Sequence, residues 1–181
     1  VANGTHILMN HGQLELELTP ILQGGTKMSL SSNGDVIAVD SPLPTNSSRE
    51  VHHVKVYRYD QGTDTWGHIG LPFGRSITVR STAMSADGNI VAVGASDYED
   101  SVELPCSACD PDPGRVSVYR FEDGTWIRMG DVLRGDNDGD NFGQSVSLSK
   151  DGVMLAVGAS NSSAGGAGSG LTRVYRYEES E

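Results

Sequence analysis

The sequence predicts an all-β protein of propeller type, an array of about three four-stranded antiparallel blades that is either open or part of a larger ring. Two observations predict the repeat and one predicts the strands. A strand, turn, strand pattern is written three times, around Asn33-Gly34, Asp87-Gly88 and Asp151-Gly152, at separations of 54 and 64 residues. An alternating strand with a central tyrosine follows each copy, at Tyr57, Tyr119 and Tyr175. Finally, apolar residues recur with the strand period of two, and no useful length of chain carries the helical period.

In chain order, residues 3–24 read as the end of an incomplete blade. Thr5 to Met9 is a short strand, Asn10-His11-Gly12 a turn, and Leu14-Glu15-Leu16-Glu17-Leu18 alternates until Pro20 stops it. Ile21-Leu22-Gln23-Gly24 then matches Val132-Leu133-Arg134-Gly135 further on.

Repeat 1 spans residues 25–70. Met28, Leu30, Val36, Ile37 and Val39 flank the Asn-Gly turn, the strongest short hairpin signal, and Val54 to Tyr59 and Thr65 to Ile69 complete four strands. Repeat 2, residues 71–131, runs the same way, with Trp126 lying 60 residues after Trp66. Both tryptophans are expected at equivalent places in the core between blades. Repeat 3, residues 132–177, lacks its last strand. Variable length falls between second and third strands, where repeat proteins take insertions.

Composition bounds the function. The chain has 181 residues and a net charge of −11, which argues against nucleic acid and anionic membrane surfaces as partners. No run approaches the ~18 apolar residues of a membrane span. The opening Val1-Ala2-Asn3 has no methionine and no signal segment, so a processed form or a fragment is expected. Cys106 and Cys109, crowded by prolines, read as a local disulfide rather than a zinc or redox site, which favours an oxidising compartment. Sequons at Asn3, Asn46 and Asn161 point the same way, towards secretion, the cell surface or an organelle lumen.

Asp136, Asp138 and Asp140 alternate in a loop that Gly139 lets curl, so a calcium ion is one reading and a solvated acidic turn the other. The acidic, proline-rich insertion at residues 97–113 is a candidate contact surface or simply solvated. The glycines of residues 165–170 lack the lysine and following helix of a phosphate loop, and read as a linker. The five histidines are scattered over the first two-fifths of the chain, and no nucleophile elbow or metalloprotease motif is present. His52-His53 opens a strand that should turn one ring inward and one outward.

With three copies in view, the chain resembles the FG-GAP repeats of β-propellers such as the integrin α-subunit head. The resemblance is carried by Phe142-Gly143, by Gly158-Ala159-Ser160 where that family has Gly-Ala-Pro, by the acidic run, and by echoes at Phe73-Gly74 and Gly94-Ala95-Ser96. Repeat 1 departs, with Asp40-Ser41-Pro42 at that place. The resemblance implies the propeller fold, and more weakly calcium loops and adhesion. The function expected is therefore a non-catalytic binding or adhesion module that meets a protein or glycan through blade loops. The alternatives are a structural subunit docked in a larger multiprotein assembly, and an enzyme with its site in the channel; further blades or another chain would be needed to complete the sheet array.

Overall fold

The computed structural model describes residues 5–9, 13–17, 27–43, 51–76, 78–96 and 113–178. Fourteen strands and no helix occur among them, so no helix is long and apolar enough to cross a membrane. β1 (Thr5–Met9) and β2 (Gln13–Glu17) form a two-stranded antiparallel sheet. The first blade contains β3 (Met28–Leu30), β4 (Val36–Leu43), β5 (Val51–Asp60) and β6 (Thr65–His68), in that order, with β7 (Phe73–Ser76) also pairing with β5. The second contains β8 (Thr78–Met84), β9 (Ile90–Ser96), β10 (Arg115–Glu122) and β11 (Thr125–Arg134). The third contains β12 (Phe142–Leu148), β13 (Met154–Ala159) and β14 (Leu171–Arg176). Every ladder within the blades is antiparallel, as in a partial propeller of a few blades.

Apolar side chains stand on alternate sides of the strands, so neighbouring blades bury facing sets of them. Val36, Ala38, Val54 and Val56 of the first blade meet Val79, Val91 and Val93 of the second. Ala92 and Val116, on the second blade's other face, meet Phe142, Leu155, Val157 and Ala159 of the third. The first blade's remaining face gathers Val39, Tyr57 and Trp66.

The hairpin turns are copies of one device. Ser31 Oγ accepts from the Val36 N–H at 2.9 Å, and the Asn33 side chain accepts from the Asp35 N–H at 3.1 Å. Ser85 with Asp87, and Ser149 with Asp151, repeat it. In all three the turn glycine has positive φ, 78° at Gly34, 76° at Gly88 and 74° at Gly152, a conformation that favours glycine.

One sequence assignment is corrected. Phe73-Gly74 does not open the second blade. β7 extends the first blade's outer edge, pairing Val54 with Phe73, and the Phe73 ring lies 4.5 Å from Tyr119 and 4.8 Å from Trp126 between centroids. Val79 takes the place of Phe142 instead, pairing with Ala95 as Phe142 pairs with Ala159.

Candidate functional site

The seam between first and second blades holds a carboxylate–imidazole pair. β4 and β5 run antiparallel with Asp40 opposite Val54 and Pro42 opposite His52, so alternation sends Asp40 and His52 to the same face. The His52 Nδ1–H donates to Asp40 Oδ1 at 2.8 Å. Asp40 is only 4% exposed in its side chain and His52 is 21% exposed, so the acid is buried behind the ring. Burial raises the Asp40 carboxyl above its usual 3.8, against the opposing pull of the His52 hydrogen bond and of the charges on His52 and Lys27. A carboxylate on Nδ1 orients the ring and favours the tautomer that carries its proton there.

The repeats explain the room for this pair. Asp40, Gly94 and Gly158 are equivalent, each following the valine of its strand. A Cβ at Gly94 would lie 2.1 Å from the Gly143 carbonyl oxygen, so that seam closes backbone on backbone. With Asp40 at this place, side chains fill the first seam instead. Ser76 is the cross-strand partner of His52, yet its hydroxyl is buried and already donates to the Thr78 carbonyl at 3.1 Å while accepting from the Thr78 N–H at 3.2 Å. The arrangement therefore suits a general base that acts on water, rather than a serine nucleophile.

The opposite face of β5 carries His53, Lys55 and Tyr57, and Lys55 and Tyr57 line a cleft of about 1110 Å³ together with Trp66 and His68. Burial, with the neighbouring Lys55 charge, lowers His53 from 6.5 to about 4 and lowers His68 too, while burial raises Tyr57. Both His53 nitrogens, the Tyr57 hydroxyl and the Trp66 indole nitrogen are buried without a hydrogen-bond partner. Trp126, by contrast, donates to the Ile69 carbonyl of the adjacent blade at 3.1 Å.

The sequence-predicted residues are placed as follows. Asp136 pairs with Arg173, Asp140 is buried and accepts from the Asn137 N–H at 3.2 Å, and Asp138 lies between them. No three His, Cys, Asp or Glu groups lie close enough to hold a metal among the described residues. Asn161 sits in an exposed turn, its N–H on the Asp140 carbonyl. Asn3, Asn46, Cys106 and Cys109 lie outside the described residues, as do most of residues 97–113. Asp40 and His52 were not paired from sequence. The available signal was an acid where the other repeats have glycine, twelve residues before a strand that opens His-His.

No protein-family model and no curated protein matches the chain by sequence. Solved structures do share its fold. It is similar to a prolyl endopeptidase studied for inter-domain dynamics in catalysis and specificity, at a TM-score of 0.53 and 15% identity over 95% of this chain and 24% of that one. It is also similar to the periplasmic gluconolactonase PpgL of Pseudomonas aeruginosa, at a TM-score of 0.53 and 15% identity over 92% of this chain and 43% of that one. The chain thus spans less than half the length of either. This is the β-propeller class.

The comparison corrects the expected function. The reading as a non-catalytic adhesion module rested on the resemblance to adhesion propellers, and the exclusion of an enzyme on the lack of a recognisable catalytic motif. Both of these structures share the fold and are enzymes by name, so the fold gives no ground for that exclusion.

Proposed function

We propose that the chain is a sector of a catalytic β-propeller in which His52, oriented by Asp40, is the general base of a hydrolytic reaction. One observation carries the reading: a buried carboxylate holding an imidazole at 2.8 Å in a seam of the blade array. The chemistry is proton removal from a water that attacks an acyl centre, with the imidazolium then available to protonate the leaving group. Asp40 stabilises the imidazolium as it forms. The substrate class, an ester, lactone or peptide, follows the shared step of acyl hydrolysis and the two enzymes that share the fold.

The test is turnover of a chromogenic acetate ester and of a small δ-lactone by the purified chain. His52→Ala should lower the rate by roughly 10²-fold or more, the scale of general-base catalysis. Asp40→Asn should lower it with the fold intact. His53→Ala, on the opposite face of β5, should leave it unchanged. Equal rates for the parent chain and His52→Ala would end the proposal.

The blades are further read as repeats of FG-GAP type. Support comes from Gly143, whose φ is +86° and whose carbonyl accepts from Ser81 Oγ at 2.8 Å across the seam at Gly94. Glycines at both places are what such a close approach needs. A second reading, a purely structural sector completed by other blades, is favoured by the apolar side chains exposed at both ends of the array, Leu30 at 57% and Val174 at 63%.

A further inference from the structure

The first blade's face away from the second blade is covered from within the chain. His53, Tyr57 and Trp66 stand there, and each is 5% exposed or less. Among the described residues, the apolar side chains packed on Val39, Tyr57 and Trp66 are Ile37 and Tyr59 of the same blade. Two neighbours on the same sheet cannot by themselves take an indole ring out of water. An uncovered blade face looks different: Val174, at the far end of the array, is 63% exposed.

The second blade shows what such a face meets. Trp126 holds the place of Trp66, opposite Phe121 as Trp66 is opposite Tyr59. Its indole N–H donates to the Ile69 carbonyl of the preceding blade at 3.1 Å, and a Cβ at Gly70 would lie 2.6 Å from its ring. The Trp66 indole nitrogen and the Tyr57 hydroxyl are buried with no such partner, although a buried indole N–H ordinarily finds one. One repeat earlier in the series stands the hairpin of β1 and β2. Leu8 pairs with Leu14 as Tyr59 pairs with Trp66, and Thr5 pairs with Glu17 as Val118 pairs with Met129. Glu17 thus holds the register position of Ile69, three residues beyond the tryptophan place.

We propose that the β1–β2 hairpin seats on the His53, Tyr57 and Trp66 face as the outer hairpin of a preceding blade, with the Trp66 indole N–H meeting the backbone at Glu17. The connection has the right length. Glu17 precedes Leu30 by 13 residues, where Ile69 precedes the equivalent Met84 by 15 and Met129 precedes Leu148 by 19. Charge is complementary: Glu15 and Glu17 hold the register positions of Gly67 and Ile69, and the face they meet carries His53, Lys55 and His68. The segment 44–50 is a poorer occupant, because it joins Leu43 to Val51 at the end of β5 remote from Trp66. Residues 97–112 leave and rejoin the second blade at the corresponding end. Leu18 follows where the later repeats have Gly70 and Gly130, so this seat is a wider copy of the next one. The cleft beside Tyr57, Trp66 and His68 is then a seam between blades and not a substrate pocket. The proposal is independent of hydrolysis at His52, which lies on the other face of β5.

Nuclear magnetic resonance of the isotope-labelled 181-residue chain tests the contact directly. The chain has two tryptophans, and loss of one indole signal in Trp66→Phe assigns the other to Trp126. The Trp66 indole proton should show Overhauser contacts to the backbone protons of Glu17 and Leu18, and it should exchange slowly with water. In a chain that starts at residue 25 it should exchange roughly tenfold faster or more, with the Trp126 indole proton unchanged. Contacts from Trp66 to residues 44–50 or 97–112 would overturn the proposal. So would an indole proton in rapid exchange in the full chain, or one equally protected with and without residues 1–24. Should the shorter chain fail to fold, the Overhauser contacts of the full chain decide.

Discussion

His53 shows how one side chain sets a pH dependence. Its ring is 4% exposed, and burial beside Lys55, His68 and His52 lowers its pKa from 6.5 to about 4. The folded state therefore keeps it neutral where the unfolded chain takes a proton. Between about pH 6.5 and pH 4 the unfolded state binds more protons, so this group's contribution to stability falls as the solution is acidified. The melting temperature should drop between pH 7 and pH 5, and His53→Leu should make that drop smaller. An identical drop in the variant would assign the acid sensitivity to other groups. Gly94 makes a second residue-scale case. Gly94→Ala places a methyl 2.1 Å from the Gly143 carbonyl oxygen, backbone that cannot turn aside, whereas Gly158→Ala meets the Ser145 hydroxyl, which can rotate. Thermal melts should show Gly94→Ala losing on the order of 1–3 kcal/mol or more, and Gly158→Ala less.

At the scale of the element, the hairpins were legible in the sequence and the Asp40–His52 pair was not. A Ser-x-Asn/Asp-Gly turn is written within a few residues, because its bonds run from Ser31 to Val36 or from Ser85 to Ile90. The Asp40–His52 pair depends on the β4–β5 register across a loop, and on a seam that two blades must form together. Phe73-Gly74 was misread for a related reason: the dipeptide looks the same on an outer edge strand as at the start of a blade, and only pairing with β5 decides between them. The turn makes its own prediction. Ser85→Ala removes the acceptor of the Ile90 N–H and should cost about 1–3 kcal/mol in chemical denaturation. Asp87→Asn, which copies the first repeat, should cost less; a larger loss for Asp87→Asn would refute the equivalence of the turns. The loop at residues 136–140 is held by Arg173 on Asp136 and by Asn137 on Asp140. Calcium there remains a proposal, and it requires Asp136 to leave Arg173. Saturating calcium at about 100 times its dissociation constant should add roughly 2.7 kcal/mol, and Asp138→Ala should abolish the gain. An unchanged melt in millimolar calcium would show that the loop holds no calcium.

The whole molecule is an array in which stability should depend on how many faces of a blade are covered. The second blade alone is covered by described blades on both sides: Val91 and Val93 point into one seam, while Ala92 and Val116 point into the other, all 2% exposed or less. The third blade has one such seam, and among the described residues its β14 pairs with β13 alone. Opening β14 breaks one ladder and uncovers a half-buried Tyr175, whereas opening β9 breaks two ladders and empties both seams. Local opening free energies track such differences in burial and pairing. Amide hydrogen exchange should therefore be slowest in β9 and the first half of β10, and fastest among the blade strands at β14 and β3. Phe142, 2% exposed and paired with Gly114 across the second seam, ties the two blades together. Phe142→Ala should cost about 3–5 kcal/mol and accelerate exchange in both β9 and β13. If that variant released β13 while leaving β9 at its original rate, the blades would be independent units and the seam would not couple them.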